Sequence, residues 1–257
     1  MITGSGSGIG KAVAVALAEK RHRVIATTHF APESSELNRL AKEQGLSLES
    51  VVLDITNTGD RENILNYDLD VLINNAGIGE TGSLSEIDID KVRNNFEVNL
   101  FSPLELTQLA LRGMMKKNSG TIIFISSLLG RVTLPFFGPY SMTKFALSSG
   151  AQMLRAELAR IHSSVKIVVV EPGAYHTGFN QKMMATKFSW MDQHSYFHQI
   201  AQDLQKSEAR QFSASEITKL DSIVAKIVQA AEATQPKFRY VAPWWQGQGV
   251  RVLRMLS

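Results

Sequence analysis

Short runs rich in Val and Ile recur at 24–27, 51–53, 71–73, 121–125 and 165–170, with longer helix-like stretches between them. This alternation constrains the fold more than any other feature of the chain. Runs such as Thr121-Ile122-Ile123-Phe124-Ile125 and Val165-Lys166-Ile167-Val168-Val169-Val170 are too continuously apolar for a sheet with one wet face; strands of this kind are covered by helices on both sides. Segments 11–20, 91–117 and 140–161 carry apolar residues at helical spacing. The expected architecture is α/β, a doubly wound parallel sheet. With 257 residues, no internal repeat and no Pro-rich linker, the chain is expected to form one domain over 1–257. A mixed stretch at about 178–215 reads as an insertion near the carboxyl ends of the strands.

Composition removes several function classes. The chain has no cysteine, which excludes disulfides, thiolate metal sites and cysteine nucleophiles, and we expect no metal site. Lys and Arg number 27 against 24 Asp and Glu, scattered rather than blocked, so nucleic acid is not an expected partner. The first ten residues show no basic segment followed by an apolar one, and no run is long enough to span a bilayer. A cytoplasmic location is therefore expected.

Thr3-Gly4-Ser5-Gly6-Ser7-Gly8-Ile9-Gly10 leads directly into the helix-forming run Lys11-Ala12-Val13-Ala14-Val15-Ala16-Leu17-Ala18. A glycine turn against a helix amino terminus suits a pyrophosphate: the backbone can approach closely, and free N–H groups and the helix dipole favour an anion. The G-x-G-x-x-G spacing is absent, since each candidate start lands its third position on Ile9, Lys11 or Val13. The pattern present is T-G-x-x-x-G-x-G, which alone could be an ordinary surface turn.

Tyr140-Ser141-Met142-Thr143-Lys144 sets a phenol and an ammonium one helical turn apart, on one face. A free phenol has a pKa near 10, and a nearby cation would lower it toward a useful proton-exchanging range. Such a pair arises often by chance. Here it follows Ser127, at the end of the apolar run, and Asn99 in Val98-Asn99-Leu100. Taken singly, the serine could be a polar strand end and the asparagine a helix cap.

These positions, with Asn74-Asn75-Ala76-Gly77 after the run at 71–73 and Pro172-Gly173 followed by Thr177, closely resemble the short, single-domain branch of the short-chain dehydrogenase/reductase family over residues 3 to about 180. The resemblance implies a Rossmann-like fold and an NAD(P)-dependent oxidoreductase moving a hydride between the nicotinamide and a carbonyl or secondary alcohol. It implies Tyr140 as acid/base and Lys144 as the group that lowers its pKa and holds the nicotinamide ribose. Ser127 would bond the reacting oxygen and Asn99 support a water in the proton relay. The cofactor would meet Gly4, Ser7, Gly8, Ile9 and Gly10 at the turn, Asp54 and Ile55 at the adenine, and Asn75, Ala76 and Gly77 beyond them. Pro172 and Gly173 complete the set, with Thr177 at the carboxamide. Arg21 replaces a glycine often found in the family.

The end of the strand expected at 24–27 sets dinucleotide choice, because an acid there holds ribose hydroxyls and repels a 2′-phosphate. This chain has Thr28 and His29 instead, which favours NADP over NAD. Phe179, Met183, Met184, Phe188, Trp190 and Met191 suit a pocket for a bulky apolar substrate, or a loop that merely packs on the core. Leu134-Pro135-Phe136-Phe137-Gly138-Pro139-Tyr140 resembles members acting on lipophilic compounds. By the same resemblance a homodimer or homotetramer is expected through 99–117 and 140–160. The segment 244–256 mixes Trp, aliphatics and Arg, but two glycines argue against an independent membrane anchor, so no membrane contact is expected. Two rival readings are a non-catalytic NADP-sensing regulator and an epimerase or dehydratase of the same superfamily.

Overall fold

The computed structural model describes residues 1–256, without the side chains of 211–214 and 256; Ser257, the last residue of the expected domain, lies outside the described residues. In chain order the elements are α1 (Gly8–Glu19), β1 (Val24–Thr28), α2 (Ala31–Gln44), β2 (Leu48–Val52), α3 (Thr58–Glu62), β3 (Val71–Asn74), α4 (Ile89–Phe96), α5 (Ser102–Lys116), β4 (Thr121–Ile125), α6 (Gly138–Arg160), β5 (Lys166–Pro172), α7 (Phe179–Lys187), α8 (Ala201–Ser215), α9 (Asp221–Glu232), β6 (Arg239–Ala242) and α10 (Trp244–Leu256). Every strand pairing is parallel.

Two ladders, β2-β1 and β3-β4-β5-β6, are joined by a single residue, Ile2, which bridges Ala26 on one side and Ile73 on the other. Met1 to Thr3, too short to read as a run, form this seam. Backbone bonds from Ile2 N to Ile25 O at 2.9 Å and from Thr3 N to Ile73 O at 3.0 Å hold it between its neighbours. The strand order reverses at Ile2, and in open α/β sheets ligands bind beyond the carboxyl ends of strands at such a switch point.

Period-two alternation divides the central strands between two cores. Ile123, Ile125, Val168 and Val170 face Val13 and Leu17 of α1 and Ile223 and Ile227 of α9. Ile122, Phe124, Ile167 and Val169 face Leu106 and Met114 of α5 and Leu147, Ala151 and Leu158 of α6. Each such side chain contributes about 1.5–3 kcal/mol on burial, and the demand for apolar residues on both faces gives the unbroken runs seen in the sequence. The edge strands carry a weaker signal. β2 is half exposed, and Glu49 and Ser50 separate Leu48 from Val51 and Val52, so the strand begins earlier than the expected 51–53. β6, with Arg239 at its start, gives no sequence run at all.

The expected helix over 91–117 forms as α4 and α5 joined through a π-helical turn, Glu97–Phe101, that contains Asn99. α1 ends with Arg21 at φ 67°, the left-handed conformation that glycine adopts without strain; this explains why glycine suits the position. Among the described residues no helix is long and apolar enough to cross a membrane. The segment at 244–256 is helical despite its glycines, because Gly247 and Val250 are buried against the body of the protein.

Candidate active site

Beyond the carboxyl ends of the strands lies a cavity of about 1460 Å³, larger than the roughly 300–1,000 Å³ of an ordinary small-ligand pocket. It runs from the glycine turn to the aromatics of α7.

At one end the turn is fixed by hydrogen bonds rather than by packing. Asn75 Nδ2 donates to Thr3 O at 2.9 Å and Gly4 O at 3.0 Å, while the amides of Asn75 and Ala76 both donate to Thr3 Oγ1 at 3.0 Å. Two glycines are required by proximity. A Cβ on Gly10 would lie 2.2 Å from Gly4 O and 2.5 Å from Asn75 Nδ2, and one on Gly4, whose φ is 67°, would lie 2.7 Å from Ala76 Cα. α1 starts at Gly8 without a side-chain cap and without an acid in its first turn, an arrangement that favours an anion at its N–H groups. Asp54 lines the same end. Burial pushes its carboxyl up, but hydrogen bonds from the Thr56 hydroxyl and amide outweigh that and hold it below the usual range.

At the other end Tyr140 and Lys144, both on α6, are buried at 7% and 4% exposure. Lys144 Nζ lies 5.6 Å from the centroid of the Tyr140 ring and donates to Ile125 O at 3.0 Å. Burial pushes the Tyr140 phenol up to about 12, opposed by a hydrogen bond with Ser127; burial also pushes the Lys144 ammonium down to about 8. Desolvation therefore dominates both groups. Gly77 lies between Lys144 and Asn99: a Cβ there would be 3.1 Å from Asn99 Oδ1 and 3.7 Å from Lys144 Nζ.

The cavity wall includes Ser127, Tyr140 and Lys144 of the four expected catalytic residues, and Gly4, Ser7, Gly8, Ile9, Gly10, His29, Asp54, Ile55, Asn75, Ala76, Gly77, Pro172, Gly173 and Thr177 of the expected cofactor contacts. Asn99 is fully buried behind that wall. Its side chain accepts from Ile78 N at 2.9 Å and donates to Ile78 O at 2.8 Å and Thr143 Oγ1 at 3.1 Å, and the π turn turns it onto these partners. Thr28 is not part of the cavity wall: it is 1% exposed, and its hydroxyl donates to Phe30 O at 3.1 Å. The strand continues inward at this position, so only His29 reaches the wall.

The apolar loop is divided. Phe179 and Met183 line the cavity, with Met183 packed on Tyr140. Trp190 instead packs on Phe136 and Phe197 at centroid distances of 6.1 Å, and Met191 is buried. Phe136, from the segment preceding Tyr140, and two acids with no signal in the sequence also line the wall. Phe136 does so at a left-handed φ of 64°, a strained conformation for a bulky residue. Glu33 packs on Gly6, its carboxylate 2.3 Å from where a Cβ would be. Glu208 comes from α8. Both acids are brought in by tertiary folding from outside any local motif.

The family model for short chain dehydrogenase matches residues 1–187. Retinol dehydrogenase 8 of Homo sapiens is 31% identical over 252 residues, covering 93% of this chain and 79% of its own. A short-chain dehydrogenase from Streptomyces avermitilis superposes with a TM-score of 0.78 at 26% identity, over 99% of this chain and 93% of that one. A gluconate 5-dehydrogenase from Burkholderia cenocepacia J2315, in complex with NADP and tartrate, does so at 0.66 and 27% identity over 74% and 77%. Fold, switch-point cavity and sequence thus converge, and the chain belongs to the short-chain dehydrogenase/reductase family of NAD(P)-dependent oxidoreductases.

Proposed function

We propose that this protein, working as one catalytic domain, interconverts an apolar carbonyl compound and its secondary alcohol, with Tyr140 exchanging the proton at the substrate oxygen. The observation that carries this reading is the buried cluster of Tyr140, Ser127 and Lys144 on the wall of one cavity that also contains the glycine turn. The uncapped start of α1 and the glycines that a Cβ would block are what a dinucleotide needs. The nicotinamide, when bound, supplies or accepts the hydride. In reduction the developing alkoxide would take a hydrogen bond from Ser127 and a proton from the Tyr140 hydroxyl. Lys144, charged, favours the resulting phenolate and so offsets the burial that raises the phenol.

Three finer readings go with this. The apolar substrate is supported by Phe137, Phe179 and Met183 around Tyr140 and by the relative named for retinol. NADP is favoured over NAD by His29 and by the absence of an acid at position 28; Glu33 beside Gly6 is the opposing charge. A homodimer or homotetramer would use α5 and α6, where Phe145 and Met153 are exposed. The test is nicotinamide absorbance with NADPH and NADH in parallel against bulky and small carbonyls. Faster NADPH consumption with bulky apolar carbonyls is expected. Faster turnover with NADH would give Glu33 the discriminating role, and cofactor binding with no turnover would favour a sensing protein.

A further inference from the structure

Lys187, the last residue of α7, is fully buried, and its Nζ lies 3.7 Å from the centroid of the Phe137 ring, with Phe188 and Phe136 at 5.6 and 5.7 Å. Its carboxylate partner is Glu208 of α8, at ion-pair contact. Phe137 also belongs to the apolar cluster around Tyr140, so the ion pair lies one ring away from the phenol. Glu208 is not closed off. Its side chain keeps 17% exposure and lines the cavity beside Leu204 and Ser207. Only Oε2 is engaged by Lys187, and among the described residues nothing donates to Oε1.

Stability does not explain this arrangement. An ion pair withdrawn from water recovers little more than its desolvation cost, and apolar residues of similar volume usually do as well. A wall meant only for hydrocarbon would be better served by Leu and Met. What the pair provides is a fixed negative acceptor on the chamber wall, with one carboxylate oxygen to which no described residue donates.

We propose that Glu208 is a specificity-determining residue, its carboxylate held by Lys187 as a subsite for a hydroxyl or protonated amine on an otherwise apolar carbonyl substrate. This rests on the reading of the same cavity as the reactive site. A hydrogen bond to a charged acceptor is worth about 1.5–3 kcal/mol, on the order of a 10- to 100-fold preference.

The experiment compares matched pairs: an apolar ketone, and the same ketone bearing a remote hydroxyl or amino group. Both kcat/KM and calorimetric binding are measured for wild type, Glu208→Gln, and the double variant Lys187→Met/Glu208→Leu, which removes both charges together. Wild type is expected to favour the donor-bearing member at least tenfold, mainly through KM, and the double variant to lose that preference. No preference in wild type, or a preference that survives the double variant, would overturn the proposal. An equal loss on both members would also overturn it, since it would reduce the pair to a staple between α7 and α8. If no ketone is turned over but the binding preference follows Glu208, the subsite stands and the reductase reading fails.

Discussion

Lys144→Met is expected to make the ligand-free protein more stable while removing its activity. The Lys144 ammonium is buried without a carboxylate partner among the described residues, and burial brings its pKa from 10.5 down to about 8. At about 1.36 kcal/mol per unit, the charged form in the fold costs about 3 kcal/mol relative to the unfolded chain. Removing it also removes the bond to Ile125 O, a loss of about 1 kcal/mol. A net gain of about 2 kcal/mol is expected at pH 7. The sign follows from linkage. Below pH 8 both states carry the proton and the full penalty applies. Between about 8 and 10.5 the folded state gives up its proton first, so wild type gains stability as pH rises and the advantage of the variant shrinks. Urea unfolding of both proteins without cofactor, at pH 7 and pH 9.5, reads this as a difference in midpoint at constant slope. A variant less stable than wild type at pH 7, or a difference that does not narrow at pH 9.5, would refute the reasoning.

Other positions give further expectations. Gly10→Ala would force a Cβ into Gly4 O and Asn75 Nδ2, costing about 1–3 kcal/mol by overpacking, and calorimetry should show cofactor affinity reduced at least tenfold. Arg21→Gly would relieve the left-handed backbone after α1 and raise stability by about 1 kcal/mol, seen as a rise of a few degrees in the thermal midpoint. Asn99→Ala would strand the amide and carbonyl of Ile78, destabilising by about 2–3 kcal/mol in urea unfolding.

The central strands and the motif residues were legible in the sequence because each is specified locally. β4 and β5 need apolar residues on both faces, so Ile122 to Ile125 and Ile167 to Val170 declare themselves. The glycine turn, Ser127 and the Tyr140–Lys144 pair sit in short contiguous patterns. What was hidden depends on long-range packing. Ile2 forms a whole strand position only because β1 and β3 flank it. The strand's course turns the Thr28 side chain inward, which the sequence does not show. Glu33 and Glu208 reach the cavity from helices whose sequences carry no motif. The burial that dominates Tyr140 and Lys144 is likewise a property of the folded chamber, whereas helical spacing alone suggests a cation that simply lowers the phenol's pKa.

The most direct test of the central claim is Tyr140→Phe, which removes one hydroxyl from a buried ring. Turnover with the preferred nicotinamide and an apolar carbonyl should fall at least 100-fold, as expected for loss of a positioned general acid, while calorimetric cofactor affinity stays within about threefold of wild type, a difference under 1 kcal/mol. Turnover within tenfold of wild type, with cofactor still bound, would contradict the assignment of Tyr140 as the proton-transferring residue.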